Sequence, residues 1–246
     1  MTRATAVTLA MQCAIQALTL AFGVVCLWVA RRAGRGRDGG WYFTGAAFTV
    51  MGVHALVQSV VAVWAVVEGD QSALYRRYVA VLPFLNDPRI LVVLGYALVT
   101  LVQLVRRRPT PSSPWRVWSF FLSLLALGTA LSTLEGPFAE RVHYSVIAAG
   151  GAATVVVLLA SLYRALVIGA FDYLLWTAMV IYAVREAVSA SIFSVQAWIG
   201  IREVWTPDPR LAPVLALVSL VMMLGCSLLR LRRPAPPPGL MERVRG

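Results

Sequence analysis

Seven long runs of apolar residues, separated by short polar or proline-rich stretches, make up most of the chain. They cover about residues 5–30, 41–67, 89–105, 115–134, 144–163, 172–198 and 211–229. Each run is close to the roughly 20 residues that a helix needs to cross the hydrocarbon core of a bilayer. The pattern therefore predicts an all-α integral membrane protein, folded as a bundle of seven transmembrane helices.

The composition agrees with this interpretation. Hydrophobic residues make up 59% of the chain and charged residues 13%, whereas soluble domains carry about 25% charged residues. We expect a multi-pass protein of the plasma (cytoplasmic) membrane, with residues 1–234 forming one transmembrane domain. Residues 235–246 are too short and too rich in proline to form a domain, so they are predicted to be a cytoplasmic tail.

The distribution of basic residues predicts the orientation. All 22 basic residues are arginines. With the N-terminus outside, fourteen of them fall in segments facing the cytoplasm and seven in segments facing outward, while Arg185 lies within the sixth run. Basic residues are retained preferentially on the cytoplasmic side, so we predict an outer N-terminus and a cytoplasmic C-terminus. The positive charge lies at the ends of apolar runs, which favours the bilayer, rather than nucleic acid, as its partner.

The third and seventh runs share a pattern at both ends. Asp87-Pro88-Arg89 precedes the third run and Asp208-Pro209-Arg210 precedes the seventh, and each run is followed by Arg-Arg-Pro. This echo is consistent with an internal repeat of three, one and three helices. It is equally expected if two helices of the same direction each need a cap, a proline and inner arginines. Both explanations stay open.

The sixth run contains the most unusual residues, because Arg185 and Glu186 lie at its midpoint. A charge at the bilayer centre costs about 2.5–3.5 kcal/mol on insertion scales, so it persists where it is paired, hydrated or needed for function. Sequence neighbours lie about 100° apart on a helix, so these two side chains cannot pair closely with each other. Each therefore needs a separate partner.

Other polar residues are predicted to lie near this pair. On the sixth run, Tyr182 and Ser189 share a broad face with it. On the second run, His54 and Gln58 are one turn apart, and His54 is at about the depth of Arg185. The predicted ligand-binding site or polar core consists of Arg185, Glu186, His54, Gln58, Tyr182, Ser189 and, from the third run, Tyr96. The alternative is a polar knot that only locks helix packing, through hydrogen bonds averaging about 0.6 kcal/mol.

Several functional classes lack their required residues. Without lysine there is no retinal Schiff base, and no HExxH, GxSxG or GxxxxGK[ST] motif is present. We therefore expect no enzyme activity and no catalytic residue. Cys13, Cys26 and Cys226 all lie in apolar runs, which is typical of buried structural cysteines. His143 and His54 are predicted at different depths, so a bis-histidine haem is poorly placed, and no cofactor or metal is expected.

Three functions from different classes fit this pattern. The layout is similar in topology to G-protein-coupled receptors and to seven-helix sensor modules of bacterial histidine kinases, but DRY and NPxxY are absent, so no family is assigned. We predict a receptor- or sensor-like module whose pocket, around the second and sixth helices, binds a small anionic ligand or another membrane protein. The alternatives are a small carrier with a midplane Arg/Glu/His site and a structural subunit of a larger membrane complex.

Overall fold

The computed structural model describes residues 3–33, 39–69, 72–74, 76, 87–106, 113–139, 141–146, 148–150, 152, 155 and 211–232. Within these ranges the chain forms α1 (Arg3–Ala33), α2 (Gly39–Glu68), α3 (Asp87–Arg106), α4 (Pro114–Ser132) and α5 (Leu211–Arg232). Residues 137–139, 141–146 and 148–150 are helical as well. The described residues are almost entirely helical and include no strand, which confirms the all-α class.

Three of these helices are long and apolar enough to cross a membrane. The qualifying stretches are Ala10–Arg32, Trp41–Glu68 and Pro114–Ser132, with mean hydropathies of 2.1, 2.0 and 1.3. Shorter apolar stretches, Pro88–Val99 and Pro213–Leu229, lie in α3 and α5. These helices are those of a membrane protein. Most of the fifth predicted run and the whole sixth run lie outside the described residues, so the seven-helix bundle, its orientation and its internal repeat stay predictions.

The closest pairing is between α1 and α2, which run antiparallel. Small residues make this approach possible. A Cβ on Gly52 would lie 2.7 Å from the backbone of Leu20, and one on Gly45 would lie 2.8 Å from the backbone nitrogen of Leu27. Since neither glycine carries a side chain, the two backbones approach directly, as in other membrane helix pairs with small interfacial residues.

Glycines also end α2 and the turn after α4. Gly69 follows the last residue of α2 with φ +92°, and Gly136 lies beyond α4 with φ +97°. Side chains are strained in this left-handed region, whereas glycine enters it freely, so it stops a helix at low cost. The Gly69 amide donates to the Val66 carbonyl at 3.3 Å, satisfying one of the last acceptors of α2.

The two helices α3 and α4 pack on the first half of α2 through aromatic rings. The Phe43 ring lies 4.7 Å from the Phe121 ring and 5.6 Å from the Tyr96 ring, centroid to centroid. The Trp118 indole N–H donates to the Tyr42 hydroxyl at 2.7 Å, so the polar tip of each ring is satisfied. These contacts hold the first half of α2 between α3 and α4.

The last helix, α5, packs against the other side of α1. The Cys26 thiol interacts with the Ser227 side chain, and Arg32, six residues further along α1, donates to the Leu231 carbonyl. Both helices advance in the same sense between these contacts, so α1 and α5 are parallel. The described helices thus form a row in which α1 lies between α5 and α2.

Candidate functional site

The centre of the described site is a pair of polar residues halfway along α2. His54 and Gln58 are separated by one helical turn, and both are half-buried. The Gln58 side-chain nitrogen lies 3.5 Å from His54 Nε2. An amide nitrogen only donates, so Nε2 accepts and Nδ1 carries the proton in the neutral ring. The predicted His54–Gln58 pair is therefore brought together, by a long and weak hydrogen bond.

The other imidazole nitrogen is buried without a hydrogen bond. No described residue accepts from His54 Nδ1, although the atom is inaccessible to solvent. A buried donor left unsatisfied costs about 1–3 kcal/mol, and in hydrocarbon no water is present to reduce this cost. Within the described part of the chain, no hydrogen bond offsets this cost.

A positive charge acts on the same imidazole from α3. Arg89 is in the first turn of that helix, and its electrostatic interaction reaches His54. The free amides at a helix N-terminus also carry partial positive charge. Arg89 is therefore close enough to His54 to disfavour a positive charge on the imidazole.

A second polar contact lies one residue further along α2, on the face that meets α1. The Ser59 hydroxyl donates to the Gln16 side-chain oxygen, and Ser59 is buried. The predicted site did not include this contact. The signal was available, because Ser59 follows Gln58 by about 100° on the helix and therefore faces a different neighbour.

Tyr96 is placed away from His54. Its hydroxyl lies 3.0 Å from the Thr44 hydroxyl, and its ring stacks on Phe43. Thr44 precedes His54 by ten residues, which is about 15 Å along a helix axis. The structure describes three of the predicted site residues. It brings His54 and Gln58 together, and it places Tyr96 in the aromatic core.

The remaining predicted site residues, Tyr182, Arg185, Glu186 and Ser189, lie outside the described residues. Within the described part of the chain, no group of three or more His, Cys, Asp or Glu side chains could hold a metal ion. His143, Cys26 and Cys226 are all buried. The described site is thus a pair of hydrogen-bonding side chains on α2, an imidazole and an amide, with Arg89 of α3 within electrostatic reach.

Comparison with known proteins does not extend this description: no protein-family model, no curated protein and no solved structure matches the chain.

Proposed function

We propose that this multi-pass membrane protein is a receptor- or sensor-like module whose intramembrane pocket forms between His54 and Gln58 on α2 and the polar face of the sixth predicted segment. In this proposal Arg185, Glu186, Tyr182 and Ser189 complete the pocket. The observation that carries it is the buried Nδ1 of His54, which no described residue satisfies. Either the sixth segment or a ligand held beside it supplies the acceptor.

The charge around the site supports a small anionic ligand. Arg89 acts on His54 from α3, and the proposal adds a second guanidinium, that of Arg185. A planar guanidinium binds carboxylate or phosphate oxygens in pairs, and its attraction is strong where water is excluded. The imidazole and the Gln58 amide then provide neutral donors that orient the anion.

The packing of α1 and α2 provides a way to pass a displacement from the site to a second helix. The two backbones meet at Gly23, Gly45 and Gly52, where an added Cβ would lie 2.5–2.9 Å from atoms of the facing helix. Such a pair moves as one body, because sliding would break a close contact at every level. A ligand that displaces α2 at His54 would therefore also displace α1. A carrier instead needs the site to open to each side of the membrane in turn.

Cysteine accessibility tests the proposal. Gln58→Cys is introduced into a chain whose three native cysteines are replaced by alanine, and a membrane-impermeant maleimide is applied to right-side-out and inverted vesicles. Ser59→Cys is the matched control, since it lies one residue away but faces α1. We expect Gln58→Cys to react from the outer side only and Ser59→Cys to stay unreactive.

The other results distinguish the alternatives. Labelling of Gln58→Cys from both sides indicates a carrier with alternating access. No labelling of Gln58→Cys from either side, with normal folding, indicates a sealed packing knot or a structural subunit, and it contradicts the receptor proposal.

A further inference from the structure

A cleft of about 750 Å³ opens between the last turns of α1 and α5, well away from His54. It is lined by Trp28, Arg31 and Arg32 of α1 and by Leu228 and Leu231 of α5. We call it the α1–α5 cleft. Because the two helices run parallel and end close together, their terminal side chains converge here.

One arginine of the cleft is held in place by the facing helix. The Arg32 guanidinium donates to the Leu231 carbonyl. This carbonyl is among the last four of α5, which receive no hydrogen bond from amides of their own helix. A cation at a helix C-terminus is also favoured by the helix dipole. This bond uses one of the five guanidinium N–H groups, so donors remain for a ligand.

The charge in the cleft is not balanced by its walls. Arg31 and Arg32 are both exposed, and none of the lining residues that the structure describes is acidic. Two neighbouring guanidinium groups repel each other and attract a phosphate, which each of them can bind through paired N–H donors. The cleft is therefore electrostatically complementary to an anion with several oxygens.

The remaining walls are apolar and exposed. Trp28 has 62% of its surface accessible and Leu228 has 44%. Tryptophan one turn inside a helix end is typical of the membrane interface, where its ring lies at the level of the head groups. A soluble anion gains nothing from these two side chains, whereas an acyl chain covers apolar surface beside them.

We propose that the α1–α5 cleft binds an anionic phospholipid, with the phosphate on Arg31 and Arg32 and the acyl chains along Trp28 and Leu228. The ligand comes from the bilayer itself. Basic pockets between transmembrane helices on the cytoplasmic side are suited to anionic head groups, and the predicted orientation places the cleft on that side. This site is separate from the His54 pocket and does not depend on its function.

Native mass spectrometry of the full chain in detergent tests the proposal, with phosphatidylglycerol or phosphatidylcholine added at equal concentration. Arg31→Gln is the test variant, because Arg31 makes no contact needed by α5. Arg116→Gln is the matched control, since Arg116 is also an exposed arginine in the terminal turn of a helix, α4, outside the cleft. We expect phosphatidylglycerol to be retained more strongly than phosphatidylcholine. We expect Arg31→Gln to weaken its binding about five-fold, as for one basic side chain at an anionic surface, and Arg116→Gln to leave it unchanged.

Three results overturn the proposal. Equal retention of the two lipids removes the charge selectivity. Equal weakening by Arg31→Gln and Arg116→Gln assigns binding to general surface charge. Displacement of phosphatidylglycerol by glycerol phosphate at the same concentration makes the cleft a site for soluble phosphate instead of a lipid.

Discussion

Replacing Gly52 by alanine tests whether the backbone contact between α1 and α2 holds the helix pair. The new Cβ would lie 2.7 Å from Leu20 Cα and from its backbone nitrogen, while ordinary contact begins at 3.4 Å. The two helices must therefore separate by about 0.7 Å at this level. No change of rotamer relieves the overlap, because both atoms belong to the backbone.

The expected cost follows from two opposing effects. Overpacking a close contact costs about 1–3 kcal/mol. Replacing glycine by alanine inside a helix recovers roughly 0.5–1 kcal/mol of backbone entropy. We therefore expect Gly52→Ala to lower the free energy of unfolding by up to about 2.5 kcal/mol.

The chain provides a matched control in Gly225 on α5. A Cβ there meets no atom of the described residues within 4 Å, so Gly225→Ala gains the same entropy without the overlap. The free-energy difference between the two variants isolates the steric cost. Unfolding by sodium dodecyl sulfate titration in mixed micelles, followed by tryptophan fluorescence, measures both values.

A second glycine makes the test sharper. A Cβ on Gly23 would lie 2.5 Å from the Thr49 backbone nitrogen, in the same helix pair. Once Gly52→Ala has separated the helices, the second alanine finds part of its space already open. We therefore expect the double variant to cost less than the sum of the two single ones. The reasoning is refuted if Gly52→Ala is as stable as Gly225→Ala.

Three further predictions use the same protein. In a double-mutant cycle of Gln16→Leu and Ser59→Ala, we expect a coupling energy of about 0.6 kcal/mol, and at most about 1.7; zero coupling means that this buried bond contributes nothing. Arg185→Met is expected to melt like the parent chain in detergent but to lose any thermal shift caused by small carboxylates or phosphates, and Arg185→Lys should restore little of that shift; an unchanged shift supports the packing knot. A reporter that works only in the cytoplasm should be active when it is fused at Gly246, and a reporter that works only outside should be inactive. The opposite result reverses the predicted orientation.

The helices could be predicted from sequence because they depend on a one-dimensional property. A long apolar run in a bilayer leaves its backbone no alternative to internal hydrogen bonding. The ends of α2 and α4 also follow from local sequence. Gly69 and Gly136 each come directly after a glutamate and adopt a positive φ, which favours glycine.

The packing partners could not be predicted in the same way. Gly45 and Gly52 are seven residues apart, which indicates a small-residue seam, but nothing in their spacing shows that α1 supplies the other side. Tyr96 illustrates the same limit for the site. Its polar tip suggested a place in the polar interior, and the Thr44 hydroxyl and the Phe43 ring hold it in the aromatic core. A polar residue in an apolar run shows that a partner is needed, not which partner it is.

The central claim is that the polar face of the sixth segment meets His54. Cross-linking of paired cysteines tests it most directly, in a chain otherwise free of cysteine, with a short bifunctional maleimide applied in native membranes. His54→Cys is combined with Arg185→Cys, and Ser59→Cys with Arg185→Cys is the control, because Ser59 faces Gln16 on α1. We predict rapid intramolecular cross-linking of the first pair and none of the second. Equal cross-linking of both pairs, or of neither in a folded chain, would contradict the account.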